Sequence, residues 1–437
     1  MAFVHLFPLP ASKTSLVVLL TNIALAVATI PVIIRLVRIL GGGTLAITAT
    51  LMSFVLSRDS MTWTAAGFET AMLTFLFHLT MYRVVQESKL NQPKLSTYLF
   101  IAIMSLVRAD AAILSGLAYA VSLLLNKNRK EVVIYSVISL ILPFTHELFR
   151  ICYYDDILPN TAYLKTVNWN GKYAAGLTYV IDFVKHYGFL IGFAVAGSIF
   201  SRQWSLRILL GAFLLYVAYV AYVGGDAFSG FRFFVPFLPV LMILAFLGMQ
   251  TLIPRQAPRL AISTLCLATI PLIIPGYTIG LSPKPAAIGN IRIGLLLKQN
   301  TPSSSKVADF WAGSVLYFSE RYGIDLLGKS DRYIARLPAA FNGTRPGHNK
   351  FDFDYSLGVL RPDFVVANFK LPVREDEMRQ AAVGNWAFTG QLYFDSVFRE
   401  HCLENPVTAE TWRTIFACDW SPQIEKKNDW LELSSEK

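Results

Sequence analysis

Long apolar segments dominate the chain as far as about residue 280, where a tract of ordinary polar content begins. A stretch of about 20 apolar residues is long enough to cross the hydrocarbon core of a bilayer as a helix. Only 16% of the 437 residues are charged, whereas soluble domains average about 25%. The apolar segments lie at 15–38, 44–57, 63–83, 96–107, 111–125, 131–152, 178–200, 206–223, 233–251 and 260–280.

This pattern predicts an α-helical polytopic membrane protein, with about ten spans or half-spans over residues 1–280. The two segments on either side of residues 108–110 are short for full spans. They are either half-helices that meet at a polar break or one bent hairpin that stops short of the far interface.

The net charge of +10 is arranged in a way that indicates topology rather than nucleic-acid binding. Basic residues gather at every second turn between the apolar segments, as expected for cytoplasmic loops. We therefore expect a multi-pass protein of the bilayer with no nucleic-acid partner. The five clusters are Arg35 and Arg38; Arg83, Lys89 and Lys94; Lys127, Arg129 and Lys130; Arg202 and Arg207; and Arg255 and Arg259.

The remaining turns then face the outside, together with everything after residue 280. They lie near 58–60, 108–110, 153–177 and 224–232. The residues with varied chemistry thus collect on one side of the membrane. By the same count the chain begins outside, with no earlier span to set that orientation.

Residues 281–437 predict a small extracytoplasmic α/β or α+β domain. Short strands are expected at 307–316, 322–327 and 363–367, and helices at 372–383 and 405–417. Cys402 and Cys418 could pair if this tract faces an oxidising compartment, or stay free if it does not. Cys152 and Cys266 lie in or beside apolar segments and are expected to be packed thiols.

The turn at 224–236 brings one acid and one base to an expected membrane boundary. Arg232 could bind an anionic head group there. Asp226 could hold that arginine, accept a proton, or help to coordinate a divalent ion. We take Asp226 as the candidate catalytic residue.

Three further ionisable residues lie near the expected outer face. Arg108 and Asp110 are either a mutual pair that caps two helix ends or part of a substrate site. Glu69 is expected about one turn inside its span, below the interfacial Trp63. It is either a buried hydrogen-bond acceptor or one wall of a polar cavity.

The turn at 153–165 combines aromatic, amide and charged residues that suit a sugar and a lipid phosphate. An ordinary interfacial loop explains the same residues. The candidates are Tyr154, Asp155, Asn160, Tyr163 and Lys165. In the polar tract, Arg345, His348 and Lys350 are basic candidates expected to be solvated.

No zinc spacing, no nucleophile elbow and no phosphate loop occurs in the sequence. We therefore identify no cofactor, and only the use of a divalent metal stays open.

Six motifs occur in one order and together resemble the bacterial GT-C glycosyltransferases, in particular the branch of the terminal arabinofuranosyltransferases. The resemblance runs from about residue 45 to residue 367. They are Gly-Phe-Glu-Thr at 67–70, Leu-Val-Arg-Ala-Asp at 106–110, Tyr-Tyr-Asp-Asp-Ile-Leu-Pro-Asn-Thr-Ala-Tyr-Leu-Lys at 153–165, Gly-Gly-Asp-x-x-x-Gly-Phe-Arg-Phe-Phe-Val-Pro at 224–236, Ile-Asp-Leu-Leu-Gly-x-x-Asp-x-x-Ile-Ala-Arg at 324–336, and Pro-Gly-His-x-Lys at 346–350.

The resemblance implies a multi-span enzyme of the bacterial cytoplasmic membrane. It would transfer a sugar from a polyprenyl-phosphate donor to a cell-envelope glycan or glycolipid, as in lipopolysaccharide or arabinan synthesis, with inversion at the anomeric carbon. By position, residues 154–165 would line the donor side, and Asp226 and Arg232 would sit at the membrane edge of the cavity. His348 and Lys350 would reach over that cavity from the soluble domain.

The sequence departs from the family at its beginning. The family opens with a span and an external loop of paired acids that supplies the base, and nothing before Ala11 matches them. The departure implies a truncated or late-starting reading frame, or a degenerate and inactive member. The alternative function is a transporter or flippase for a lipid-linked sugar, which would distribute polar residues through the membrane depth.

Overall fold

The computed structural model describes residues 14–166, 169–228, 230–252, 285–341, 346–410, 412–422, 425 and 430. The chain forms two compact units. The helical unit comprises Met1–Ile157 and Gly176–Thr278, and the C-terminal unit comprises Leu158–Ala175 and Ile279–Lys437. The apolar segment expected at 260–280 lies outside the described residues, as does Cys266.

The first eleven helices of the described chain are mostly apolar. They are α1 (Thr14–Ile39), α2 (Thr44–Leu56), α3 (Arg58–Ala65), α4 (Thr70–Leu90), α5 (Leu95–Val107), α6 (Ala112–Leu125), α7 (Arg129–Tyr154), α8 (Asn160–Thr166), α9 (Lys172–Phe200), α10 (Trp204–Tyr222) and α11 (Leu238–Leu252). Among the described residues, α1, α7, α9 and α10 are long and apolar enough to cross a membrane, and so is Val235–Leu252, which joins a 3₁₀ turn to α11.

Helix α7 keeps its apolar side chains on the surface. Phe144 is 68% exposed and Ile141 is 61% exposed, and several neighbours on the same helix are similarly uncovered. A helix that is apolar all round normally lies inside a large core or inside a bilayer. The helical unit therefore exposes a broad apolar surface along α7, which is compatible with a membrane-spanning helix.

The segment expected to span residues 63–83 is two helices, because the backbone turns between α3 and α4. Gly67 has a φ of +74°, a conformation that costs glycine little and side-chain-bearing residues more. Glu69 is consequently the residue that precedes the first turn of α4. Our expectation that Glu69 lies one turn inside a continuous span is wrong.

Helices α5 and α6 form an antiparallel hairpin. The hydroxyl of Ser115 donates to the carbonyl oxygen of Ile101 at 2.7 Å, and the hydroxyls of Tyr98 and Ser122 are 2.8 Å apart. A short 3₁₀ turn at Ala109–Ala111 joins the helices. Of the two arrangements open from the sequence, the bent hairpin is the observed one.

Glycines let α9 pack closely against its neighbours. A Cβ atom on Gly197 would lie 2.0 Å from the Cα atom of Gly248 in α11, and one on Gly176 would lie 2.0 Å from the carbonyl oxygen of Ala221 in α10. Such small-residue contacts let two helix backbones approach each other closely. They fix the position of the turn that follows α10.

The C-terminal unit is built on a five-stranded mixed sheet with the order β2-β1-β3-β5-β4. The strands are β1 (Lys306–Asp309), β2 (Tyr322–Asp325), β3 (Phe364–Ala367), β4 (Pro406–Glu410) and β5 (Arg413–Ala417). Strand β1 pairs in parallel with β2 and β3, and β5 pairs antiparallel with β3 and β4. Further helices are α12 (Pro285–Asn300), α13 (Ser314–Ser319), α14 (Arg332–Arg336), α15 (Glu375–Val383), α16 (Ala387–Phe394) and α17 (Ser396–His401).

Both faces of this sheet are buried. Ala308 and Val365 face one apolar cluster, while their neighbours Val307 and Phe364 face another that includes Ile293 of α12. Central strands covered on both faces are typical of sheets with parallel pairing. The chain is therefore mostly helical, with a small C-terminal sheet domain.

The expected helix at 405–417 is wrong, because that segment is the hairpin β4–β5. The pairing of β5 with β3 outweighs its local helical propensity. Cys402 and Cys418 form a disulfide beside this hairpin, which settles the pairing left open from the sequence. Cys152, expected to be packed, is exposed near the end of α7.

Candidate functional site

The turn after α10 is shaped by glycines in the left-handed region. Gly224 and Gly225 have φ values of +91° and +68°. A Cβ atom on Gly225 would lie 2.7 Å from the ring of Tyr179, so the chain can pass this ring only with glycine there. The turn aims the side chain of Asp226 back toward the residues that follow it.

Asp226 and Arg232 form an enclosed ion pair. The Nε atom of Arg232 lies 2.8 Å from Oδ2 of Asp226, and its Nη2 donates to Oδ1 at 3.1 Å. The two side chains are 1% and 11% exposed. Fork-to-carboxylate pairing of this kind is directional and fixes the plane of the guanidinium.

Four aromatic rings surround the guanidinium of Arg232. Its Cζ atom lies between 5.1 and 5.9 Å from the ring centroids. Cation–π attraction adds to the ion pair at such distances. We call these rings the aromatic cage; they belong to Trp63, Phe68, Phe228 and Phe233.

A second charged group also lies against Phe233. The guanidinium of Arg108 lies 5.1 Å from the centroid of Phe233. Its Nη1 is 3.0 Å from Oε1 of Glu69, and its Nη2 donates to Oδ2 of Asp110 at 2.5 Å. The structure thus shows the mutual pair of Arg108 and Asp110, with Glu69 as a further partner.

This second group is more open to solvent than the first. The side chains of Arg108, Glu69 and Asp110 are 18%, 29% and 25% exposed. Together the two groups place two guanidiniums against one phenyl ring, and three carboxylates pair with these guanidiniums. Such a site can hold hydroxyl groups through its carboxylates and a phosphate through its guanidiniums.

The cage residues are the part of this site that sequence reasoning missed. The sequence indicates Trp63 only as an interfacial aromatic, and no local pattern distinguishes Phe68, Phe228 and Phe233 from the other phenylalanines of the chain. Trp63 also donates its indole N–H to the carbonyl oxygen of Gly230. Nearby, the hydroxyl of Tyr187 donates to Asp59 at 2.6 Å. Asp59 lies in the segment near 58–60 that was expected to be an external turn, and no other feature of the sequence indicates this pair.

The residues expected at the 153–165 turn are divided between the two units. Tyr154 ends α7 and Asp155 follows it with a φ of +52°, both in the helical unit. Asn160, Tyr163 and Lys165 lie on the short helix α8, which belongs to the C-terminal unit. The expected loop is therefore partly helical.

Within the C-terminal unit, Lys350 ties α8 to α14. Its Nζ donates to the carbonyl oxygens of Tyr163 at 3.0 Å and Ala335 at 2.9 Å. Lys350 is fully buried, and this burial lowers its pKa to about 8. The guanidinium of Arg336 lies 4.3 Å from the centroid of the Tyr163 ring and strengthens the same contact.

His348 is also buried, with its ring 5.6 Å from that of Trp311. Its Nδ1 lies 2.9 Å from the carbonyl oxygen of Pro346. The expectation that His348 and Lys350 are solvated loop residues is wrong, because both are packed into the C-terminal unit. Arg345 lies outside the described residues.

No metal site emerges in the part of the chain that the structure describes. There, no three His, Cys, Asp or Glu side chains are grouped so that they could hold a metal ion. The acids around Phe233 are instead interleaved with the two arginines.

Comparisons with known proteins bear only on the C-terminal unit. A family model described as a domain of unknown function (DUF8728) matches residues 285–416. No curated protein and no solved structure matches the chain.

Proposed function

We propose that the chain is an integral-membrane glycosyltransferase of the GT-C type. It takes a sugar from a polyprenyl-phosphate donor and adds it to a glycan or glycolipid on the outer face of the bacterial cytoplasmic membrane. The observation that carries the proposal is the convergence on Phe233 of charged residues from three sequence motifs. Those residues are Glu69, Arg108, Asp110, Asp226 and Arg232.

The membrane placement is supported by the exposed apolar surface of α7 and by the five helices long enough to span. The outer location of the C-terminal unit is supported by its disulfide, since disulfides form and persist in oxidising compartments. The basic turns between the apolar segments support the same orientation.

The charged residues around Phe233 suit the two groups that react in sugar transfer, the lipid phosphate of the donor and the hydroxyl of the acceptor. Guanidiniums stabilise the lipid phosphate that leaves, and a carboxylate that removes a proton activates the acceptor hydroxyl. Asp226 is enclosed by Arg232 and the aromatic cage, so we assign it first the task of holding Arg232 toward the phosphate. Glu69 and Asp110, which are more exposed, are the carboxylates placed to meet a sugar hydroxyl.

Photo-crosslinking tests this placement of the donor. The full chain in proteoliposomes is labelled with undecaprenyl phosphate that carries a diazirine near its phosphate. Label is expected in peptides that contain residues 63–69 or 224–234, and unlabelled undecaprenyl phosphate should compete where undecaprenol does not. Label confined to other peptides, or equal competition by undecaprenol, would contradict the proposal.

Arg232→Lys sharpens the test, because it keeps the charge beside Asp226 and loses the planar fork. Labelling is expected to fall roughly tenfold, the effect of losing one charge-assisted hydrogen bond. Arg207→Lys is the matched control. Arg207 lies near the start of α10, at the opposite end of that helix from the turn that carries Arg232.

A further inference from the structure

The three parallel strands of the C-terminal unit end at the same edge of the sheet. Strand β1 lies between β2 and β3. The chain therefore passes from β1 to β2 on one side of β1, and then from β2 to β3 on the other side. In open sheets with parallel strands, ligands bind outside the carboxyl ends at such a switch in strand order. The segment that follows β2 begins at this edge.

This segment forms one side of a groove with a volume of about 560 Å³. Ligand pockets of folded proteins commonly measure about 300–1,000 Å³. The groove is lined by Asp331 and by Arg332, Tyr333 and Arg336 of α14, together with Tyr355. Leu337 and Pro338, which follow α14, add apolar surface to it. We call it the α14 groove.

Two tyrosine rings stand in the α14 groove in fixed orientations. The rings of Tyr333 and Tyr355 are 4.5 Å apart. The hydroxyl of Tyr333 donates to Asp352 at 3.0 Å, and the hydroxyl of Tyr355 donates to Asp331 at 3.2 Å. Tyr333 is nevertheless 48% exposed, so a large part of its ring is open to a ligand.

The charged groups of the groove are held by the backbone around them. Asp331 caps α14 by accepting a hydrogen bond from the amide of Ile334 at 2.9 Å. Arg336 donates to the carbonyl oxygen of Arg332 at 3.1 Å, while its guanidinium packs on Tyr163. Ordered polar groups lose little conformational entropy when a ligand binds.

We infer that the α14 groove is a saccharide-binding site, in which a sugar ring packs on Tyr333 and its hydroxyls pair with Asp331, Arg332 and Arg336. An aromatic face covers the apolar face of a sugar ring. Carboxylate oxygens accept hydrogen bonds from sugar hydroxyls, and guanidiniums donate to them.

Saccharide binding here stands independently of sugar transfer. A narrower role, in which the α14 groove holds the acceptor glycan of the transferase, rests on the proposed function. If the full chain binds oligosaccharides but transfers no sugar, the proposed function is contradicted and saccharide binding at the α14 groove is not. If sugar transfer proceeds without saccharide binding at the α14 groove, the inference about the groove is contradicted and the proposed function is not.

Saturation-transfer NMR on the full chain tests the inference. The detergent must have no sugar head group, and the probes are arabino-, manno-, galacto- and gluco-oligosaccharides at concentrations up to about 10 mM, which detects weak binding. Saturation transfer to at least one probe is expected. Tyr333→Ala should weaken that binding roughly tenfold, because the stacking face is lost.

Three further variants keep the result specific. Tyr333→Phe retains the ring and should retain binding, whereas Arg332→Glu, an exposed change, should weaken it. Tyr317→Ala is the matched control, since Tyr317 lies on α13 and is 39% exposed. No transfer to any probe, or equal transfer with wild type, Tyr333→Ala and Arg332→Glu, would overturn the inference.

Discussion

Asp226 is connected to the aromatic cage mainly through its ion pair with Arg232. Its carboxylate is 1% exposed and forms an ion pair with Arg232, whose guanidinium lies near four aromatic rings. An acid in this position can work in two ways in a transferase. It can accept the acceptor's proton, or it can hold the arginine that binds the donor phosphate.

Replacing Asp226 separates these two roles. Asp226→Asn is expected to lower sugar transfer at least about 100-fold, because an electrostatic partner of the reacting groups is lost. Asp182→Asn is the matched control, since Asp182 is an exposed carboxylate paired with Lys185 on α9. Transfer is measured with radiolabelled donor and full chain of confirmed monodispersity.

Donor affinity then tells which role was lost. If Asp226 positions Arg232, donor binding weakens in Asp226→Asn and partly recovers in Asp226→Glu. If Asp226 is the base, donor binding stays unchanged while transfer is lost. Unchanged transfer in Asp226→Asn would remove the residue from the site altogether.

At the residue scale the sequence predicted the charges better than their surroundings. Asp226 and Arg232 are six positions apart, so their meeting in one turn was visible locally. Trp63 on α3 and Phe68 in the turn after it lie more than 150 positions earlier, and only the packing of α3 and α4 against the segment after α10 brings them there. No local pattern carries that information.

At the scale of elements, the short helix α14 connects three features of the C-terminal unit. It lines the groove, it carries Arg336 against Tyr163, and it offers the carbonyl oxygen of Ala335 to Lys350. Lys350 therefore links α8 to α14 through its two hydrogen bonds, and we call this link the brace. Its burial makes the brace sensitive to pH.

The pH dependence follows from the lowered pKa of Lys350, about 8 in the folded chain against 10.5 for a free lysine. Below pH 8 the side chain is protonated in both the folded and the unfolded state. Between pH 8 and 10.5 the unfolded state keeps a proton that the folded state has released, so stability rises with pH. The melting midpoint of wild type relative to Lys350→Met should therefore increase from pH 7.5 to 9.5.

Differential scanning fluorimetry of the full chain measures this difference. Lys298→Met is the control, since the side chain of Lys298 is 44% exposed. Its curve should run parallel to that of wild type over the same range. A constant difference between wild type and Lys350→Met would show that burial of Lys350 carries no proton linkage.

Elements with strong local patterns were predicted well and the others were not. The strands within 322–327 and 363–367 were recognised from their apolar and β-branched residues, and both exist. The sequence predicts a helix at 405–417, where the structure has a hairpin, because these residues fit either form locally. Its pairing with β3 depends on residues about 50 positions away, which a local pattern cannot supply.

At the scale of the whole molecule, the change in composition near residue 280 marks most of the division between the units. It could not show that Leu158–Ala175 joins the C-terminal unit. That segment is held by Lys350 and Arg336, whose contacts with Tyr163 arise only on folding. The motif at 153–165 therefore runs from the helical unit into the C-terminal unit.

The membrane topology expected from the basic turns also belongs to this scale. The disulfide between Cys402 and Cys418 and the exposed apolar surface of α7 agree with a C-terminal unit outside and a helical unit in lipid. A transporter or flippase would share these features. The two functions differ in whether the bond between sugar and phosphate is broken.

Release of polyprenyl phosphate measures that bond directly. The purified full chain is reconstituted with undecaprenyl- and decaprenyl-phosphate donors that carry labelled pentoses or hexoses, together with envelope glycan as acceptor. The proposed function predicts release of polyprenyl phosphate matched by label in the glycan, and loss of both in Asp226→Asn. Donors that stay intact throughout, even if they move between leaflets, would contradict it.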